Sequence, residues 1–141
     1  MPFMMGPMYN LDSPVGQGLR NQSDDVRLIQ VMLLELHRVR PGWAPASPLG
    51  RDGRYTPALT EWILAFQRRV NSKNANALVV DGKIHPMKMV TKRDYQSHFP
   101  SGHWSTMYAL NDFLRLVARD VHTNLGRQLS IREPRQEAVA G

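Results

Sequence analysis

The chain contains 141 residues, of which 42% are hydrophobic, and this length and composition suit a single domain with a packed core. Cysteine is absent, which excludes a disulfide framework, a zinc–thiolate site and a cysteine nucleophile. The formal net charge is +6, and the whole basic excess falls between residues 51 and 93, which hold nine basic and three acidic side chains.

Residues 1–22 are predicted to form an irregular N-terminal arm, because six prolines and glycines are spread along them. The arm has no lysine or arginine before Arg20, and it lacks the continuous apolar stretch of a signal peptide. No apolar run in the chain approaches the ~18 residues of a membrane span. We therefore expect synthesis in the cytoplasm without a signal peptide, and a location in the periplasm or cell wall only if a dedicated route exports the protein.

Two amphipathic helices are predicted next, because apolar residues recur at intervals of three and four along both segments. The first helix begins at Ser23, a suitable N-cap, and ends near Arg40, since the Pro-Gly pair that comes next cannot continue it. The second helix comes after Thr56, which is a suitable N-cap with Pro57 at the favoured first position, and it ends in a polar loop.

The two helices resemble each other in sequence, and an Asp-Gly turn follows each of them. Residues 26–33 align with residues 63–70 at an offset of 37. The turns are Asp52-Gly53 and Asp81-Gly82. A glutamine, Gln30 or Gln67, follows the core position of each helix, and its amide can bond to the backbone of the opposing loop. The sequence therefore predicts a unit of helix, loop and turn that occurs twice.

The last third of the chain is predicted to contain one further helix. Residues 87–104 give an ambiguous pattern, basic at first and loop-like later. Ser105 is a suitable N-cap for a final helix with one apolar face, and Gly126 is a suitable end for it. We expect this helix to pack on the preceding domain, with the Met-rich N-terminal arm covering part of it. The alternative is that it presents its apolar face to a partner protein.

In their order and spacing, these motifs resemble the small three-helix peptidoglycan-binding domain that accompanies many cell-wall hydrolases. The family pattern D-V-x-x-L-Q-x-x-L is matched at residues 25–33. The later family motifs D-G-x-F, F-Q and D-G are matched at Asp52-Gly53-Arg54-Tyr55, at Phe66-Gln67 and at Asp81-Gly82. The chain departs from the family at Thr56 and His85, where the family has glycine, and at Trp62, where it has alanine. The resemblance covers about residues 20–90.

The resemblance implies an all-α fold, with a peptidoglycan-binding-domain-like three-helix unit to which this chain adds a C-terminal helix. We divide the chain into an irregular arm (1–22), a peptidoglycan-binding-like domain (23–90), a C-terminal helical extension (91–129) and a flexible tail (130–141). The implied function is non-catalytic binding to bacterial cell-wall peptidoglycan, through its stem peptide or its glycan, without a cofactor.

Six side chains are the candidate ligand-binding residues in a shallow groove beside the turns. They are Trp43, Arg51, Arg54, Tyr55, Lys83 and His85. Guanidinium and ammonium groups suit the carboxylates of wall polymers, and an aromatic face suits a sugar or a stem peptide. Two alternatives stay open: Tyr55 fills the core, as the family aromatic does, and Trp43 contacts a partner protein instead of the ligand.

Catalysis and metal binding find little support in the residue pattern. We find no Ser-His-Asp order, no H-E-x-x-H motif, no phosphate loop and no glycosidase-like carboxylate pair, so we expect no enzymatic activity. The segment Ser101-Gly102-His103 faintly resembles the S-x-H of zinc peptidases, and His98 lies nearby. The residues that should come after that motif are absent, and we expect no metal site.

The basic segment has two other potential uses. Phosphates could bind the side chains of Arg68, Arg69, Lys73, Lys88, Lys92 and Arg93. Because no readout motif accompanies them, we do not expect a nucleic-acid partner. The alternative function is a protein-interaction role on the same scaffold, as a component, cargo or adaptor of a phage-tail-like or other dedicated secretion machine.

Overall fold

A computed structural model describes residues 8–75, 77–87 and 104–130 of the chain. These residues form four α-helices and one three-residue 3-10 helix, Pro41–Trp43. The α-helices are α1 (Ser23–Val39), α2 (Pro57–Lys73), α3 (Thr106–Val117) and α4 (Arg119–Ser130). Within the described ranges the β-structure is a single isolated bridge between Val15 and Ile84. The predicted all-α class is therefore confirmed.

The predicted helix starts are confirmed at two positions and corrected at a third. Thr56 occupies the N-cap position of α2 without a side-chain hydrogen bond, and Pro57 is the first helical residue. Ser105 caps α3, because its Oγ accepts a hydrogen bond of 3.3 Å from the backbone N–H of Tyr108. Ser23 is the first residue of α1 and not its cap, and Gln22 takes the N-cap position without a side-chain hydrogen bond.

The prediction of one final helix that ends at Gly126 is wrong. Two helices follow Ser105, and Ala118 separates them with a non-helical backbone at φ −150° and ψ 64°. The N–H of Ala118 donates to the carbonyl of Leu114 in α3 at 2.8 Å. The carbonyl of Ala118 accepts from the N–H of His122 in α4 at 2.9 Å. Gly126 lies inside α4.

The N-terminal arm is irregular over its described part, residues 8–22, and it is tied to the helices by hydrogen bonds. Val15 and Ile84 exchange two backbone bonds of 2.9 Å. The Asn10 side chain donates to the carbonyl of Met87 at 2.9 Å and accepts from its N–H at 2.8 Å. The buried carboxylate of Asp25 accepts two backbone N–H bonds of the arm, at 3.0 and 3.1 Å. The arm therefore provides hydrogen-bond partners for polar groups of α1 and of the segment that follows α2.

Tyr9, a fully buried residue of the arm, joins α3 to α4. Its backbone N–H donates to Asn111 Oδ1 at 2.9 Å, and Asn111 Nδ2 donates back to the Tyr9 carbonyl at 2.8 Å. Its hydroxyl donates to the carbonyl of His122 at 2.9 Å and accepts from the N–H of Gly126 at 2.9 Å. Burial raises the pKa of Tyr9, so the hydroxyl remains a donor over the physiological range.

One apolar core includes side chains from the arm, from all four helices and from the segment between α2 and α3. Its largest fully buried side chains are Phe66, Leu28, Ile29, Met32, Leu33, Leu36, Leu59, Ile63, Ile84, Met107, Leu110 and Leu114. In the described part of the chain, every helix falls short of the length or the apolar character that crossing a membrane requires.

Candidate functional site

Gln30, buried on α1, holds the turn that precedes α2. Its Oε1 accepts from the N–H of Gly53 at 2.8 Å, and its Nε2 donates to the carbonyl of Arg54 at 3.2 Å. Asp52 Oδ1 accepts from the N–H of Arg54 at 3.1 Å, and this bond lowers the pKa of the Asp52 carboxyl group. We refer to residues 52–54 as the first turn.

Gln67, buried on α2, holds residues 81–83 in the same way, and we refer to these as the second turn. Its Oε1 accepts from the N–H of Gly82 at 2.9 Å, and its Nε2 donates to the carbonyl of Lys83 at 3.1 Å. Asp81 Oδ1 accepts from the N–H of Lys83 at 2.9 Å. The prediction that the two glutamines bond to loop backbone is therefore confirmed.

The two turns also meet their helices at equivalent places. Gly53 and Gly82 have φ of +82° and +71°, a region that favours glycine. A Cβ on Gly53 would lie 2.9 Å from the carbonyl oxygen of Ser23, and one on Gly82 would lie 2.9 Å from Cγ2 of Thr60. Ser23 and Thr60 are separated by the same 37 residues as Gln30 and Gln67. The duplication in the sequence is therefore a duplication in space.

An open pocket with a volume of about 230 Å³ lies beside the second turn. Residues between α2 and α3 and residues at the start of α3 line it: Val79, Asp81, Lys83, His85, Pro86, Trp104, Ser105 and Thr106. We call this the turn pocket. It brings together Lys83 and His85, two of the six residues that the sequence nominated for ligand binding.

Hydrogen bonds to Gln67 hold several of the residues that line the turn pocket. Gln67 Nε2 donates to Thr106 Oγ1 at 3.1 Å, in addition to its bonds with the second turn. The backbone N–H of Trp104 donates to the carbonyl of Ala77 at 2.6 Å, which holds the start of α3 against the segment that leads into the turn. These bonds join two parts of the pocket lining that are distant in sequence.

The other four nominated residues lie outside the turn pocket. Arg51 and Arg54 are exposed in and beside the first turn. Tyr55 is half-buried against the core, and its hydroxyl forms a hydrogen bond of 2.6 Å with Thr60 Oγ1, which matches the core alternative. Trp43 also packs on the core, and the guanidinium carbon of Arg69 lies 5.1 Å from the centre of its ring.

Two tryptophans outside the nominated set take different positions in the fold. Trp62, on the apolar face of α2, is buried, and its Nε1–H donates to the carbonyl of Ser47 at 2.7 Å. Trp104 was not singled out by sequence reasoning, yet it lines the turn pocket. It lies beyond the segment that resembles a known family, in a stretch without clear periodicity, so only the fold brings it to the site.

Metal-ligating side chains do not cluster in the described part of the chain, where no group of three or more histidine, aspartate or glutamate residues could hold an ion. Several residues that the sequence analysis considered for phosphate or metal binding lie outside the described residues. They are Lys88, Lys92, Arg93, His98 and His103, together with the tail after residue 130.

Comparison of the chain with protein-family models, with curated proteins and with solved structures gave no match.

Proposed function

We propose that this protein binds bacterial cell-wall peptidoglycan without catalysing its breakdown. The observation that carries the proposal is the turn pocket, which is built on one of two glutamine-held Asp-Gly turns and is lined by Lys83 and His85. The motif order that resembles peptidoglycan-binding domains supports it. The carboxylates of the two turns accept backbone N–H bonds, so their part in the site is structural.

The basic segment that contains the site supports an anionic ligand, although the pocket lining itself pairs one cation, Lys83, with one carboxylate, Asp81. Among the described residues, no carboxylate lies within salt-bridge distance of Lys83, although Asp81 is its neighbour in the turn. The segment 51–93 carries the whole basic excess of the chain. Stem-peptide carboxylates of peptidoglycan are the anions that such a surface would attract.

The experiment is co-sedimentation of the purified protein with purified sacculi. We expect the protein to pellet at low salt and to be released at about 1 M salt, where the Debye length is only ~3 Å. Chitin, an uncharged glycan, serves as the matched polymer and should pellet much less protein. A protein that stays in the supernatant at low salt would contradict the proposal.

Exposed apolar side chains favour a second candidate function, protein–protein interaction within a phage-tail-like or other dedicated secretion machine. Leu116 on α3 is 65% exposed, and Val79 beside the turn pocket is 52% exposed. Co-expression with the products of neighbouring genes and size-exclusion chromatography would detect a stable complex. A monomer that binds muropeptides and no partner would decide against this candidate.

A further inference from the structure

We infer that the two equivalent turns have diverged, so that Lys83 in the second turn binds the terminal carboxylate of a stem peptide while Arg54 in the first turn has no part in binding. This inference rests on the proposed function and names the ligand chemistry of its site. It separates a specific contact from the general attraction of a basic surface.

The two turns are equivalent residue by residue. The segment Asp52-Gly53-Arg54-Tyr55-Thr56-Pro57 aligns with Asp81-Gly82-Lys83-Ile84-His85-Pro86 at an offset of 29. Arg54 and Lys83 therefore occupy the same position, and their carbonyls accept from Gln30 and Gln67 at 3.2 and 3.1 Å. Because the two turns share these hydrogen bonds, a difference in function comes from the side chains that they carry and from their surroundings.

The surroundings of the two turns differ after the fourth residue of each segment. After the first turn the chain enters a helix at once, since Thr56 caps α2 and Pro57 is its first residue. After the second turn the equivalent residues, His85 and Pro86, line the turn pocket together with Trp104. A cation at the second turn thus borders a concavity that a ligand can enter.

Lys83 is also better positioned than Arg54. Its side chain is half-buried and lies against the arm, where a Cβ on Gly16 would be 2.9 Å from Lys83 Cγ. Arg54 is exposed. A side chain whose stem is already packed loses less conformational entropy when it forms an ion pair, so the same charge contributes more to binding at the second turn.

The size and walls of the turn pocket favour the end of a peptide over a sugar. Its volume of about 230 Å³ is below the ~300–1,000 Å³ of pockets that enclose whole small molecules. Val79, Pro86 and Trp104 offer apolar contact to a short aliphatic side chain. Asp81 also lines the pocket, and its Oδ1 accepts from Gln67 Nε2 and from Lys83 N–H, so the turn itself engages this oxygen. Among the described residues the Lys83 ammonium group has no carboxylate within salt-bridge distance, so it is the cation of the pocket that a ligand carboxylate can pair with.

The test compares Lys83→Met, which keeps the packed stem, with Arg54→Met, which removes the same charge at the equivalent position. The probe is N-acetyl-D-alanyl-D-alanine, titrated by NMR against each protein, with its C-terminal amide as the second probe. We expect Lys83→Met and the amide each to weaken binding about tenfold, as for a lost hydrogen bond to a charged group, and Arg54→Met to change it less than twofold. Signals of residues 79–86 should shift.

Sacculus pelleting of the same three proteins separates this inference from the proposed function. Pelleting that falls equally in both variants overturns the inference and leaves the function standing. Equal binding of the acid and the amide overturns the carboxylate assignment. If the native protein does not pellet but binds the acid through Lys83, the proposed function fails and the pocket assignment stands. Unfolding midpoints equal to that of the native protein confirm that both variants fold.

Discussion

Each of the two buried glutamines forms hydrogen bonds with several backbone groups of a turn. Gln67 accepts from Asp81 N–H and Gly82 N–H, and donates to the Lys83 carbonyl. Gln30 makes the corresponding bonds to Gly53 and Arg54. Both glycines are buried, so their N–H groups have no access to water if the glutamine is removed.

Replacement of either glutamine by alanine should destabilise the protein by about 2 kcal/mol, because each change leaves a buried glycine N–H without an acceptor. Gln67→Ala should cost more than Gln30→Ala, since Gln67 also bonds to Thr106 in α3. Urea unfolding measures the free energy of unfolding of both variants. Gln17→Ala, at an exposed position of the arm, is the control and should change stability by less than about 0.5 kcal/mol. Equal stability of all three variants would contradict the structural role of the glutamines.

His122 makes the stability of the protein depend on pH. It is fully buried, its Nε2 lies 3.0 Å from Asn111 Oδ1, and its ring meets the Tyr9 ring edge-on. Burial, with a smaller effect of Arg115, lowers its pKa from 6.5 to about 4, while Asp112 acts in the opposite direction. The folded protein therefore keeps this imidazole neutral over a range in which the unfolded chain takes up a proton.

Because the unfolded state binds the extra proton, the free energy of unfolding should fall as pH falls from about 6.5 to about 4, by about 3 kcal/mol in all. Below that range both states are protonated and this contribution stops changing. His122→Gln should flatten the dependence but not abolish it, since burial also lowers the pKa of His37. Urea unfolding at about pH 7 and about pH 4.5 measures the difference. The same decline in His122→Gln as in the native protein would show that His122 is not its source.

At the residue scale, the sequence predicted the contacts that depend on local spacing and missed those that depend on the fold. Gln30 and Gln67 could be assigned to loop backbone because each stands at a fixed place in a repeated unit. Lys83 and His85 could be proposed because Lys83 belongs to the second turn and His85 lies two residues after it. Trp104 could not be proposed from the sequence, since its position at the turn pocket depends on a backbone hydrogen bond to Ala77, 27 residues earlier in the chain.

At the scale of elements, the Tyr9 side chain of the arm is inserted into the backbone hydrogen bonds of α4. The Tyr9 hydroxyl lies between the carbonyl of His122 and the N–H of Gly126, two groups that would bond to each other in a regular helix. Insertion of a side chain at such a point is a recognised cause of helix distortion. The position of α4 therefore depends on the arm as well as on α3.

Tyr9→Phe should destabilise the protein by about 1–2 kcal/mol, because the His122 carbonyl and the Gly126 N–H of α4 lose the hydroxyl group that bonds to both. The largest increase in amide hydrogen exchange should occur at Gly126. Tyr55→Phe deletes the same hydroxyl group from a half-buried hydrogen bond with Thr60, and it should leave exchange in α4 unchanged. If the two variants affect α4 equally, the Tyr9 hydroxyl has no specific role there.

The break between α3 and α4 shows why element boundaries were only partly predictable. The apolar spacing continues across the break, from Val117 to Val121, and alanine is the residue most compatible with a helix. No feature of the neighbouring sequence therefore marks Ala118 as the end of a helix. The starts at Thr56 and Ser105 were predictable, because capping is a property of a few adjacent residues.

At the scale of the whole molecule, the arm makes the two halves of the described structure depend on each other. One apolar core runs from Tyr9 in the arm to Leu129 in α4. Asn111 in α3 bonds to both backbone groups of Tyr9, and Asn10 bonds to Met87 beyond α2. A chain with contacts of this kind has no internal boundary at which one half could unfold without exposing the core of the other.

We therefore expect a single cooperative unfolding transition, and Trp104→Phe provides the means to test it. In that variant, the fluorescence comes from Trp62, in α2, and from Trp43, whose ring meets His37 of α1 and Phe113 of α3. Far-ultraviolet circular dichroism reports all helices. Both signals should change at the same urea concentration, with a slope of about 1–3 kcal/mol per molar. Asn111→Ala should lower both midpoints together, because it breaks the link between the arm and α3. Helical signal lost before the tryptophan signal would show that α3 and α4 unfold on their own.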